Sequence, residues 1–194
     1  QDWYSEGDTD SCYPELIKKS PYILCTFHPQ TIESENNDLI LGNMLRALEL
    51  VAEFKLFTYP NGDPGSEKII DKIENFVAKN EKSAIVKSLN GTDYYRVFAN
   101  AKLVIGNSSS PLWEGPTLKI PAVNIGIRQS GRVRAGNVVD VDGKNVIDIS
   151  RAIQKAGSPD FGHKMETIKN PYGDGRSSQK IVDVLELLNL EEVR

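Results

Sequence analysis

The stretch KLVIGNSSSPLWEGPTLKIPAVNIGIR, Lys102 to Arg128, decides how the rest of the chain is read. Leu103-Val104-Ile105 is a short apolar run with the length and β-branched content of a buried strand. Gly106 and Asn107 end that run, and three hydroxyls follow at Ser108, Ser109 and Ser110. Pro111 then occupies the first position of a helix expected to reach about Leu118, where its fixed φ and missing N–H are tolerated. Strand, small polar loop and helix start in succession direct backbone N–H groups and the positive helix end at one place, which suits an anion. Glu114, in the first turn of that helix, is placed to accept hydrogen bonds from two hydroxyls of the same ligand. The combination points to a nucleotide-diphosphate-sugar.

The same alternation extends on both sides. Upstream, Pro21 to Phe27 reads as a strand closed by His28-Pro29, and Leu39 to Glu53 as a helix whose Ile40, Leu41, Met44, Leu45, Leu48, Val51 and Ala52 share a face. Phe54 to Tyr59 is the next strand, followed by the turn cluster Pro60-Asn61-Gly62-Asp63-Pro64-Gly65. Ser66 can cap a helix with Ile69, Ile70, Ile73, Phe76 and Val77 on one face. Ala84 to Val86 is a short strand, and Asn90-Gly91-Thr92 opens a helix from Asp93 to Asn100. Downstream come a strand at Pro121 to Ile125, a basic glycine-rich loop from Gly126 to Gly136, and a last short strand at Val138 to Val141. Two helices follow, Val146 to Ala156 and Ser177 to Leu188, the second with Ile181, Val182, Leu185 and Leu188 on its buried face.

Short strands alternating with helices mean βαβ units, so residues 21–190 are read as an α/β, Rossmann-like doubly wound parallel sheet, with residues 1–20 as a linker or tail. In such sheets ligands bind beyond the carboxyl ends of the strands. His28, Asn61 to Gly65, Leu89 to Gly91, Gly106 to Ser110 and Gly126 to Gly136 all follow strands, and so gather on one rim.

Composition narrows the function. At 194 residues the chain is long enough to bury a sizeable core. A net charge of -4 supplies no basic surplus for a nucleic acid or an anionic membrane surface, though a local basic patch can serve one small anion. Two cysteines, Cys12 and Cys25, are too few for a disulfide framework or a thiolate zinc site, so a reducing cytoplasm is the default. No apolar run is long enough to span a membrane, and nothing calls for a metal or redox cofactor.

Each candidate residue has a bland reading beside the functional one. His28 can be a hydrogen-bonded rim histidine, or a phosphate or sugar contact with acid/base capacity. The serine cluster can be a capped turn, and neither GxGxxG nor GxxxxGK[ST] is present. Glu114 suits the first turn of a helix regardless of ligand. Arg128, Arg132 and Arg134 can be a solvated loop face or a clamp on phosphates, with Arg128 nearest the strand end. Turn chemistry alone accounts for Asn61 and Asp63, and Tyr172-Gly173-Asp174-Gly175 reads as a turn before the last helix. His163 reads as a surface residue.

The runs CTFHPQ, IGNSSS, EGPTLKIPAVNIGIRQSGR and NPYGDGRSSQKIVDVL resemble the carboxyl-terminal half of UDP-N-acetylglucosamine 2-epimerases, above all the hydrolysing branch. The likeness covers residues 21–190. It implies half of a two-domain GT-B architecture, no cofactor, and a homo-oligomer in the full-length form. It also implies that Ser108 and Ser109 bind the UDP diphosphate and that Glu114 holds the ribose hydroxyls. His28 and Arg128 would lie at the phosphate side, Asn61 in a loop beside them, and backbone at Leu89 against uracil. The family reaction removes the sugar C2 proton, eliminates UDP to a glycal and adds water, releasing UDP and N-acetylmannosamine. Trp113 and Gly136 depart from the pattern, where relatives often carry a polar residue and Glu. The amino-terminal domain with the acid and base carboxylates is absent from this stretch, and the Gln1 start agrees with a domain cut from a protein about twice this size. The isolated chain is therefore expected to bind UDP weakly and to turn over no substrate. A UDP-sugar donor domain of a GT-B glycosyltransferase and a non-catalytic UDP-sugar sensor are the other readings; the NIGIRQSGR run counts against the first of these.

Overall fold

The structure, a computed structural model, describes residues 21–188. The 1–20 linker, with Cys12, and the last two residues of the 21–190 range lie outside the described residues. Six strands form the sheet: β1 Tyr22–Thr26, β2 Phe54–Thr58, β3 Ser83–Val86, β4 Leu103–Gly106, β5 Ala122–Ile125 and β6 Val138–Val141. Every neighbouring pair is parallel, in the order β3-β2-β1-β4-β5-β6. The order reverses between β1 and β4, where Thr26 lies opposite Gly106. That point is the crevice in which doubly wound sheets take ligands.

The helices are α1 Asn37–Glu49, α2 Ser66–Lys79, α3 Gly91–Ala99, α4 Ser110–Trp113, α5 Gly115–Leu118, α6 Val146–Ala156, α7 Pro159–Met165 and α8 Ser177–Leu187. Side chains of a strand alternate between faces, and both faces here are covered, so the strands read as continuous apolar runs. On one face Ile23, Cys25, Phe57, Leu103, Ile105 and Val123 pack against α1, α2, α6 and α7. On the other, Tyr22, Leu24, Leu56, Val104 and Ala122 pack against Val97 and Phe98 of α3, with Ala101 and Ile120.

Local departures from expectation have local causes. Helix α1 stops at Glu49, leaving Val51 and Ala52 beyond it; the Lys55 amine reaches back to the Val51 carbonyl at 2.5 Å, a cation at a helix carboxyl end. Gly65, not Ser66, takes the N-cap position of α2, with no side-chain cap bond. The single helix expected from Pro111 to Leu118 is two separate turns meeting at Glu114. Pro116 has no N–H to offer the Leu112 carbonyl and crowds it, so the helix cannot run through. The buried amide of Asn137 serves the ends of the break, donating to the Pro111 and Ile120 carbonyls at 2.9 and 3.1 Å. Helix α7 escaped the sequence reading; Ser158 caps it by accepting from the Phe161 N–H.

The last helix reverses an expectation. No residue of α8 is buried, and Ile181 and Leu185, each 58% exposed, face solvent with Val182 and Leu188. The periodicity correctly marked an amphipathic helix, but periodicity does not say which body covers the apolar face.

Candidate functional site

The site grows from the close approach of β1 and β4. Gly106 has φ 137°, and a Cβ there would stand 1.8 Å from the Thr26 carbonyl oxygen. Only glycine permits both the conformation and the contact. The approach brings Asn107 beside His28: the His28 N–H donates to Asn107 Oδ1 at 2.7 Å, and Asn107 Nδ2 donates to the His28 carbonyl at 2.8 Å.

The His28 ring is fixed from the β2 side. The Asn61 N–H donates to His28 Nδ1 at 3.0 Å, which makes Nδ1 an acceptor and leaves the proton of the neutral ring on Nε2. The Asn61 side chain is turned to Asp63 Oδ2, at 2.5 Å. Burial, and then the Arg128 guanidinium, push the His28 pKa down to about 4, against opposing effects of Asn61 and Asp63. At neutral pH the ring is therefore an uncharged Nε2–H donor.

Arg128 arrives from the loop after β5. Gln30 Oε1 accepts the N–H groups of Ile127 and Arg128 at 2.9 and 3.1 Å. Gly126, at φ 77°, makes room, since a Cβ there would sit 2.6 Å from that oxygen. The guanidinium donates to the Asn107 carbonyl at 3.3 Å. The three loop arginines separate. Arg134 pairs with Asp140 at 2.7 Å, and Arg132 stacks over Trp113 with its guanidinium carbon 5.0 Å from the ring centre. Only Arg128 of the three bonds to the β1–β4 junction. Tyr172 clips this loop from outside, edge-on to Trp113 and donating to the Val133 carbonyl at 3.0 Å.

A groove of about 280 Å³ opens along the carboxyl ends of β1 to β4, lined by Thr26, His28, Tyr59, Leu89, Tyr94 and Ser108 among others. Tyr94 was not singled out from the sequence, yet its hydroxyl bonds to Ser110 and Ser108. The Ser108 hydroxyl also approaches the Ser110 N–H at 3.4 Å. Ser109 holds the start of α4 by its carbonyl, which accepts from Leu112 at 2.9 Å and Trp113 at 3.2 Å. Glu114 sits at the break between α4 and α5 with a raised carboxyl pKa; burial is the main cause, opposed by its own backbone N–H and by a bond with Tyr95. Its Oε2 is buried without a hydrogen-bond partner, an acceptor in reserve.

Of the residues expected at the site, His28, Leu89 and Ser108 line the groove, Asn61 and Arg128 attach to its His28 wall, and Ser109 and Glu114 belong to the adjoining turns. His163 is exposed on α7. Asn107, Gln30 and Gln129 carry the hydrogen bonds that hold the groups together, and none had been given a role from sequence. A second groove, also about 280 Å³, lies at the amino ends of β1 and β4 between Glu53, Lys102 and Gly157, away from all of these residues. Among the described residues no helix is long and apolar enough to cross a membrane.

The family model for UDP-N-acetylglucosamine 2-epimerase matches residues 5–186. The polysialic acid biosynthesis protein P7 of Escherichia coli is 34% identical over 163 residues, covering 82% of this chain and 40% of that protein. The GDP/UDP-N,N'-diacetylbacillosamine 2-epimerase (hydrolyzing) of Campylobacter jejuni is 31% identical over 159 residues, covering 81% of this chain and 40% of the relative. The S. aureus MnaA–UDP co-structure superposes with a TM-score of 0.70 at 20% identity, over 90% of this chain and 48% of that one, and so supports the fold. The chain thus spans less than half the length of the relatives it matches.

Proposed function

The chain belongs to the UDP-N-acetylglucosamine 2-epimerase family, and from that membership we propose that residues 21–188 are the UDP-binding half of a hydrolysing 2-epimerase acting on a UDP-linked 2-acetamido sugar, UDP-N-acetylglucosamine in the first instance. The observation that carries the reading is the meeting of His28, Ser108 and Arg128 where the strand order reverses.

In this proposal Ser108 and Ser109 hold the diphosphate, Glu114 accepts from the ribose hydroxyls, and the uracil lies towards Leu89. In the reaction the C2 proton leaves, the bond from C1 to the diphosphate oxygen breaks, and a C1–C2 double bond forms, giving UDP and a glycal. Water then adds its hydroxyl at C1 and a proton at C2 on the opposite face, giving N-acetylmannosamine. Negative charge grows on the diphosphate as it departs, so groups that meet it there lower the barrier. Arg128 supplies a fixed cation. His28, uncharged with its proton on Nε2, acts as a hydrogen-bond donor to a phosphate oxygen and not as a base.

The groups that move the C2 proton belong, in this reading, to the part of the relatives that this chain does not span. The uncovered apolar face of α8 is a fitting surface for that part. A homo-oligomer of the full-length protein and a reducing, cytoplasmic setting complete the proposal; the unpaired, buried Cys25 thiol fits the latter.

Two measurements test it. Calorimetric titration of this chain with UDP is expected to show weak, saturable binding, and the same chain given UDP-N-acetylglucosamine is expected to release no UDP. A longer protein containing the chain is expected to release UDP and N-acetylmannosamine from UDP-N-acetylglucosamine without any acceptor sugar. Absence of UDP binding rejects the site, and strict dependence on an acceptor assigns the fold to glycosyl transfer instead.

A further inference from the structure

We infer that Asn107, which faces no ligand in the proposed mechanism, is the positioning residue that sets His28 and Arg128 against the leaving diphosphate. The inference rests on the UDP-binding reading above. Asn107 is fully buried at the end of β4. Its side-chain amide engages both backbone groups of a single residue, His28, through the bonds at 2.7 and 2.8 Å. Its own N–H donates to the Thr26 carbonyl at 3.1 Å, which fixes the loop to β1. Its carbonyl accepts from Arg128 Nη1 at 3.3 Å and from Gln129 Nε2 at 2.8 Å. One residue therefore ties the β1, β4 and β5 loops together, and the residues it holds include both groups assigned to the departing charge.

The chemistry selects asparagine. The pairing needs one acceptor and one donor in a plane, which an amide supplies and a carboxylate does not. A protonated carboxylic acid supplies both again, with C=O as acceptor and O–H as donor. That equivalence gives a test that a merely space-filling residue would not pass. In N107D the ionised carboxylate is buried with an oxygen set against the His28 carbonyl, a contact that disfavours the charged form. On protonation the pairing returns. The charged and titratable groups that act on the residues it holds are Arg128 and Asp63 at His28 and Asp63 and Arg132 at Arg128, with Lys87 in the groove that His28 lines.

UDP affinity is measured for wild type, N107A and N107D at pH 8 and pH 5.5, each variant being referred to wild type at the same pH so that titration of the nucleotide cancels. N107A is expected to bind at least tenfold more weakly at both values. N107D is expected to bind at least tenfold more weakly at pH 8 and to recover most of the loss at pH 5.5. A ratio for N107D that does not change with pH, or N107A binding within twofold of wild type, overturns the inference. In parallel, proton NMR follows the imidazoles of unliganded protein, which has two histidines, His28 and His163. Freed from its clamp, the His28 ring of N107A is expected to titrate at least one unit above its wild-type midpoint; an unchanged midpoint overturns the inference. If wild type binds no UDP, the proposed function fails while the ring titration still judges the positioning role. If N107D does not fold, N107S takes its place, keeping one hydroxyl for the His28 backbone; affinity between those of wild type and N107A is expected, and affinity no better than N107A counts against the pairing.

Discussion

Replacing Glu114 with Gln should make the protein more stable and a poorer binder of UDP, and the opposite signs make the test sharp. Glu114 Oε2 is buried with no partner, and burial raises the carboxyl pKa. A buried orphan acceptor costs about 1–3 kcal/mol, and more when charged. Because the residue is only half-buried, solvent screening favours the lower end, about 1 kcal/mol. A neutral amide removes the charged share of that cost but still leaves a polar atom unpartnered. The gain is therefore below about 1 kcal/mol, a rise in Tm of at most roughly 2–4 °C for a domain of this size. The pH dependence follows from the sign of the shift. A raised folded pKa means the folded chain holds its proton more tightly than the unfolded chain. Stability from this group is full below the ordinary value of 4.5 and is lost as pH rises through the folded value. The advantage of E114Q is therefore greatest at pH 7 to 8 and disappears in acid. Affinity moves the other way. Hydrogen bonds to a charged acceptor are worth about 1.5–3 kcal/mol, so losing the carboxylate should weaken UDP roughly ten- to a hundredfold. Thermal melts from pH 4 to 8 and UDP calorimetry on the same samples decide it. A variant that melts lower than wild type at pH 7, or that binds UDP equally well, refutes the reasoning.

Two further substitutions probe the frame. Gly106→Ala puts a methyl carbon 1.8 Å from the Thr26 carbonyl oxygen in a left-handed conformation; it is expected to cost more than about 4 kcal/mol, seen as loss of cooperative thermal unfolding, and a stable variant would show that β1 and β4 need not approach so closely. His28 should impose an acid limit on stability. Its folded pKa lies near 4, below its ordinary 6.5, so the unfolded chain takes up a proton that the folded chain refuses; stability falls as pH drops from 6.5 towards 4, by about 2–3 kcal/mol. Urea unfolding of wild type and H28Q at pH 7 and 4.5 should show that decline reduced by about this amount in the variant, and equal declines would disprove it.

The sheet was readable because its signals are local. Ile23 and Leu24, or Val104 and Ile105, sit on opposite faces and are all buried, so each strand is an unbroken apolar run between breakers. The rim followed from the same logic, since parallel strands with intervening helices place every strand-end loop on one side. The split at Glu114 was also legible in principle, in Pro116. What stayed hidden depends on partners far apart in the chain. Asn107 meets His28 across 79 positions, and Gln30 meets Arg128 across 98; a lone amide in a loop carries no periodicity to announce such a contact. Helix α8 fails for another reason: its amphipathic pattern is real, but none of its residues is buried against the rest of the described structure.

The three loop arginines show where type and neighbourhood stop being sufficient. Arg128, Arg132 and Arg134 share one loop and one charge, and in sequence only nearness to β5 favours the first. In the fold their environments differ. Arg134 is neutralised by Asp140 as well as donating to the Arg132 carbonyl. Arg132 sits over the Trp113 ring, a contact that attracts the cation without neutralising it. Arg128 alone has its backbone fixed by Gln30 and its guanidinium directed to the β1–β4 junction. Burial disfavours its charge, Asp63 supports it, and Arg132 opposes it more weakly than Asp63 supports it. Burial is the leading influence against charge on both Arg128 and His28, and an anion arriving at the junction would supply the counter-charge that burial withholds from Arg128. Both mark a place where positive charge and N–H donors have been gathered before the negative charge is present, and this is the condition for stabilising a departing diphosphate without reorganisation at the moment of reaction.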